Sequence, residues 1–103
     1  MTLDFRFHPE AAAEFYADID WYDDQEVGIG GRFAEAIRAA VDAAIGDPGA
    51  WAVCPGREPL VRSKGVKGFP YRVVYFVQDD VLTIVAVAHS KRRPGYWRAR
   101  VSE

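Results

Sequence analysis

The chain has 103 residues, half of them hydrophobic, with 13 Lys and Arg against 15 Asp and Glu. That length supports one modest hydrophobic core, and that composition excludes a disordered chain, so one domain over 1–103 is expected. No apolar run approaches the roughly 20 residues of a membrane span, MTLDFRFHPE lacks the pattern of a secretory signal, and the lone Cys54 supplies neither an intramolecular disulfide nor a cysteine-rich metal site; the expectation is a cytoplasmic protein with no metal, cofactor or membrane contact.

Alternation in TLDFRFH puts Leu3, Phe5 and Phe7 on one face and predicts a short strand. Pro9 suits the first turn of a helix, and Ala12, Phe15, Tyr16, Ile19 and Tyr22 then recur at spacings of three and four, with Glu10, Glu14 and Asp18 on another face. EVGIGG at 26–31 interrupts that helix. Phe33, Ile37, Val41 and Ile45 repeat every fourth residue until GDPG at 46–49, so two helices form an antiparallel hairpin. DPGAWAVCPG at 47–56 reads as a long irregular connection in which Trp51 plugs the edge of the core. A weaker strand signal covers 60–63, with a loop through Gly65 and Gly68 after it. YRVVYFV at 71–77 and VLTIVAVA at 81–88, rich in β-branched and aromatic residues and separated by a tight turn, predict an antiparallel β-hairpin. The second segment is apolar on both faces, which marks a central strand covered on one side by the helices and partly covered on the other. The fold class is α+β: an N-terminal strand and an antiparallel helical hairpin packed on a twisted antiparallel β-sheet.

The near-neutral total conceals an asymmetry. Residues 1–50 hold 11 acids against 3 Arg, a balance of −8, while residues 51–103 hold 4 acids against 10 Lys and Arg, a balance of +6. Such a split hints at a surface that faces an acidic partner. Its densest part is HSKRRPGYWRAR at 89–100, where Lys91, Arg92 and Arg93 precede Pro94 and so lie in an extended turn. Two readings stand for this stretch. Tyr96 and Trp97 stack on bases beside the cations, as RNA-binding rings do; or they fold back over the open sheet face, with Arg98 and Arg100 facing solvent or clamping acids of the first helix. Arg62, Lys64 and Lys67 extend the basic surface, the lysines in a glycine-bearing loop that cradles phosphate or is simply solvated.

The order strand, acidic helical hairpin, DP turn, REPLVRS, GFPYRVVYFV, DDVLTIVAVAH and RRPGYW resembles the RelE/ParE superfamily, the toxins of type II toxin–antitoxin (plasmid stabilisation) modules, over almost the whole chain. FPYRVVY, the DD turn, and AVAH followed two residues later by RRPGYW carry the resemblance. It implies a growth-inhibiting toxin held inactive by a co-expressed cognate antitoxin whose C-terminal segment wraps it. The superfamily splits by target. ParE-like members bind and inhibit DNA gyrase; RelE-like members are metal-independent endoribonucleases that cut mRNA on the ribosome, using a general base, a general acid and cations for the phosphorane charge. A scaffold that has lost toxicity but keeps its antitoxin is a third class.

For the nuclease branch the resemblance implies Arg72 on phosphate, His89 as the acid and Glu58 as the base, with Lys64 and Arg92 assisting. Each has a plainer reading. Arg72 is then a paired arginine on the open sheet face, His89 caps the sheet end, and Glu58 is a solvated charge between Arg57 and Arg62. His8, at a helix start, reads as structural.

Overall fold

The computed structural model describes residues 3–102. In chain order these form β1 (Asp4–Phe7), α1 (Pro9–Gln25), α2 (Ile29–Gly46), β2 (Ala52–Cys54), β3 (Val61–Gly65), β4 (Tyr71–Gln78), β5 (Val81–His89) and a single turn, α3 (Arg98–Val101). The five strands make one sheet in the order β1-β5-β4-β3-β2. Three of its four pairings are antiparallel; β1 alone runs parallel to its neighbour, with Asp4 opposite Val81 and Phe7 opposite Ile84. The α+β architecture is as the sequence predicts, with β1 making the sheet mixed.

His8 switches the chain from strand to helix. Its backbone N–H donates to Ile84 O at 2.8 Å, ending the β1–β5 ladder, and its Nδ1 accepts from the Glu10 N–H at 3.1 Å, capping α1 just before Pro9. The face of α1 that meets the sheet is Ala11, Phe15, Ile19 and Tyr22. Tyr16, counted in the predicted stripe, is 65% exposed, because a helix packed against a neighbour on one side buries a stripe narrower than every apolar residue it carries.

The break between the helices is shorter than EVGIGG suggests. Gly28 takes the left-handed conformation at φ 96°, and Gly30 and Gly31 already belong to α2. Gly30 is where the helices touch: its N–H donates to Asp23 Oδ1 at 2.8 Å, and a Cβ there would stand 2.5 Å from Asp23 Cγ and from the Ile19 carbonyl oxygen. The absent side chain sets the spacing of the hairpin.

Two cores lie on the two faces of the sheet. Under the helices, Phe33, Ile37 and Val41 meet Val73, Tyr75, Leu82 and Ile84. On the other face Val61, Val74, Phe76, Val85 and Ala86 are covered by Trp97 from the C-terminal tail, which is only 5% exposed. The β4–β5 turn is two residues, Asp79 and Asp80, both at positive φ as a twisted hairpin requires. Higher on this hairpin the register slips: Val74 pairs with Ala86 but Tyr75 with Ile84, leaving Val85 as an extra residue in β5. The bulge reverses the inside-outside alternation, so Leu82, Ile84 and Val87 face the helices while Val85 and Ala86 face the tail. This explains why VLTIVAVA is apolar on both faces.

The region 47–56, expected to be irregular, contains β2, paired with β3 through Ala52 and Ser63. Three residues are too few to show a periodicity. Trp51 plugs the core edge as expected, its Nε1–H donating to Ala43 O at 3.2 Å. No helix among the described residues is long and apolar enough to cross a membrane.

Gly30→Ala is expected to lower unfolding free energy by about 2–3 kcal/mol, since backbone and a capping carboxylate must shift to admit the methyl group. Urea denaturation measures it, with Gly31→Ala as the control: nothing lies within 4 Å of a Cβ at Gly31.

Candidate functional site

The basic C-terminal half is positioned by an acidic residue from the other half. β1 leaves the sheet after pairing Phe7 with Ile84, so β5 has an unpaired edge above that point. α1 and the C-terminal tail close it. Glu14 Oε1 accepts from the Val87 N–H at 3.1 Å and from Arg100 NH1 at 3.0 Å; Oε2 accepts from Arg100 NH2 at 3.1 Å and from the Tyr96 hydroxyl at 2.7 Å. Arg100 NH1 also donates to Val85 O, 3.0 Å away at the bulge. Both side chains are nearly buried, Arg100 9% and Glu14 14% exposed. A bidentate guanidinium–carboxylate pair in that setting is strong because its remaining hydrogen-bonding capacity is used by neighbours. The tail is therefore fixed, and with it one wall of a cleft.

That cleft, of about 840 Å³, opens on the sheet face away from the helices. Val74 and Ala88 form its floor, Trp97 and Arg98 one wall, and Cys54 and Pro55 the other. Arg72 projects from β4 beside it. Its Nε donates to Ser63 Oγ at 2.8 Å and its NH2 to Ser63 O at 3.1 Å, and Gly65 leaves room for the guanidinium, since a Cβ there would meet NH1 at 3.2 Å. Arg72 is thus held by neutral groups and keeps its charge uncompensated by any carboxylate among the described residues. His89 borders the same cleft from the end of β5, its ring edge-on to Tyr71 at 5.0 Å. Its Nδ1 accepts the Lys91 N–H at 3.0 Å, which puts the proton of the neutral ring on Nε2. Among the described residues, those bordering the cleft include Arg72, Arg92, Arg98 and His89 and no Asp or Glu.

The remaining predicted residues separate. Glu58 is exposed and outside the cleft lining. Arg62 and Lys64 point to the helix side: Arg62 NH1 donates to Trp51 O at 2.8 Å, and Lys64 Nζ lies 4.7 Å from the Trp51 ring centroid and donates to Gly65 O. Lys67 is exposed in the β3–β4 turn, and Lys91 and Arg93 are exposed after β5. Arg92 stacks on Tyr96, guanidinium carbon 3.8 Å from the ring centroid, with NH1 3.7 Å from Glu14. Of the two readings of the tail, the folded-back one describes what is seen: Trp97 is used in the second core and Tyr96 by Glu14, so neither ring is free to stack on a base, and Arg100 clamps acids of α1. Glu14, Asp18, Trp21 and Tyr71 were not singled out by the sequence as site residues, yet they line a second cleft behind His89. There, burial raises the pKa of Asp18, with a hydrogen bond from Tyr71 opposing the shift. Burial, then the Asp18 charge, pushes the Tyr71 phenol well above its ordinary 10.0, and burial with the Glu14 hydrogen bond does the same to Tyr96.

The sequence profile of the ParE toxin of type II toxin–antitoxin systems, parDE, matches residues 5–94. Among solved structures the chain is similar to one described as the chromosomal ParDE TA system from P. aeruginosa, with a TM-score of 0.73 and 18% identity over 87% of this chain and 98% of that one. No curated protein sequence matches.

Two outcomes follow from the buried network. Glu14→Ala is expected to cost about 3–5 kcal/mol in chemical denaturation, because it strands a buried guanidinium and a strand-edge N–H; Glu14→Gln, which keeps an acceptor, costs less. Tyrosines whose folded pKa is raised contribute stability that is complete below pH 10.0 and is lost as pH rises beyond it. The denaturation midpoint of the wild type should therefore fall above pH 10.0, and that of Tyr71→Phe/Tyr96→Phe should fall less; equal slopes would remove the effect.

Proposed function

We propose that this chain, which belongs to the ParE toxin family of type II toxin–antitoxin systems, inhibits growth by binding a cellular target such as DNA gyrase and is neutralised by a cognate antitoxin segment laid in the 840 Å³ cleft. The observation that carries the binding reading is the composition of that cleft. Its cations face apolar floor residues with no carboxylate among the described lining residues to act as a general base, and Glu58, the residue suited to that role by resemblance, is elsewhere. An apolar trough edged by Arg72, Arg92 and Arg98 suits a peptide with apolar side chains and an acidic residue. In vivo that peptide is the antitoxin's.

One observation favours a ribosome-dependent mRNA endoribonuclease as the second reading. Arg72 and an Nε2-protonated His89 border the same cleft, a phosphate anchor and a proton donor. Induction of the protein in cells, followed by primer extension on total mRNA and by a supercoiling assay with purified gyrase, separates the two. Blocked supercoiling with intact mRNA is expected. Cuts confined to translated codons, abolished by both Arg72→Ala and His89→Ala in folded protein, would replace the binding reading with the enzymatic one.

A further inference from the structure

The cleft does not end at His89. Tyr71, His89 and Arg92 also border the second cleft, about 450 Å³, between α1 and the end of β5, so the two clefts adjoin at the rim of the sheet. The chemistry reverses between them. Among the described residues the first cleft has no carboxylate; the second has Glu14 and Asp18. Glu14 is saturated by Arg100, Tyr96 and Val87. Asp18 is in a different state: it lies half-buried beside Tyr71, and no Lys or Arg of the described residues forms an ion pair with it. Arg92 is engaged instead with the Tyr96 ring and Glu14.

Beside Asp18 stands Trp21, 55% exposed, its ring perpendicular to that of Tyr22 with centroids 5.0 Å apart. Nothing within the chain explains a large aromatic left on the surface at the mouth of a cavity. A half-buried carboxylate next to a half-exposed indole is the combination that takes a cationic side chain, through a charge-assisted hydrogen bond and a cation–π contact. An acidic group would instead be repelled by Asp18.

We propose that the second cleft is a subsite for one Lys or Arg side chain of the antitoxin segment whose acidic residue rests near Arg72, which makes the two adjoining clefts read opposite charges in a fixed order. The subsite rests on the antitoxin reading above. It adds selectivity, since a uniformly acidic tail that satisfies the first cleft places a carboxylate against Asp18.

The test is titration calorimetry of wild type, Asp18→Asn, Trp21→Ala and Arg72→Ala with the purified product of the adjacent open reading frame. Asp18→Asn leaves an acceptor for Tyr71, and Trp21 lies outside the buried core, so both variants should fold, which circular dichroism checks. Each is expected to weaken binding about tenfold. Neutralising one particular Lys or Arg of the partner should then cost nothing further in Asp18→Asn, and Asp18→Lys should bind a partner carrying Glu at that position better than wild type does. Binding unchanged by Asp18→Asn and Trp21→Ala but weakened by Arg72→Ala would overturn the cation subsite and leave the antitoxin reading intact. A loss in Asp18→Asn that stays additive with neutralisation of every partner cation would overturn it too. Failure of the wild type to bind, or indifference of all three variants, would remove the antitoxin reading and the subsite with it.

Discussion

The structure depends on one buried ion pair. Glu14, in the second turn of α1, and Arg100, near the chain end, meet at the place where β5 loses its neighbour, and together they satisfy Val87 N–H and Val85 O, the backbone groups exposed by that loss. An open sheet edge carries unpaired polar groups that must be met by water, by another strand or by side chains. Here side chains do it, and the ones chosen come from the two ends of the sequence. The pair thereby ties the acidic helical half to the basic tail, brings Trp97 onto the second core, and lines up Tyr96 and Arg92 behind His89. Without it the sheet face would have no tail over it and the cleft would lack a wall.

The β-bulge at Val85 belongs to the same arrangement. By adding a residue to β5 it rotates the upper half of the strand, which presents Val85 and Ala86 to the tail and directs His89 toward Tyr71 on the helix side. Arg72 and His89 therefore leave the sheet on different faces and meet only at its rim, where the two clefts join. Charge follows this division. Arg72 and Arg98, which form no ion pair among the described residues, border the first cleft, and Asp18, likewise without one, borders the second. The small net charge of the chain is the sum of an acidic first half, at −8, and a basic second half, at +6.

Much of the fold could be read from local pattern. The α2 stripe of Phe33, Ile37 and Val41, the paired aspartates between β4 and β5, and the doubly apolar β5 each encode their element within a few residues. What escaped was long-range or very short. Glu14 and Arg100 are 86 positions apart, so nothing in either neighbourhood distinguishes them from solvated charges, although the possibility that the tail clamps acids of the first helix was legible. β2 has too few residues to show alternation, and the parallel entry of β1 is fixed only by the direction in which His8 starts α1. The site residues divide in the same way. Arg72 and His89 stood out as polar groups on apolar strands and do border one cleft; Glu58, Arg62 and Lys64 stood out only by sequence position and lie apart from it. Trp21 and Asp18 looked like ordinary members of an acidic amphipathic helix, because the cavity beside them exists only when β5 is in place.

The most direct measurement is native-state hydrogen exchange of the Val87 amide, followed by NMR. No strand pairs with this N–H; its acceptor is the Glu14 carboxylate. If that carboxylate seals the β5 edge and fixes the tail, Val87 is protected to the same degree as the ladder amides shared by β4 and β5, and exchanges only when the protein unfolds. Exchange as fast as that of the exposed turn at 67–68 would show the edge to be open and the tail unanchored, and the cleft would lose the wall on which its function is argued.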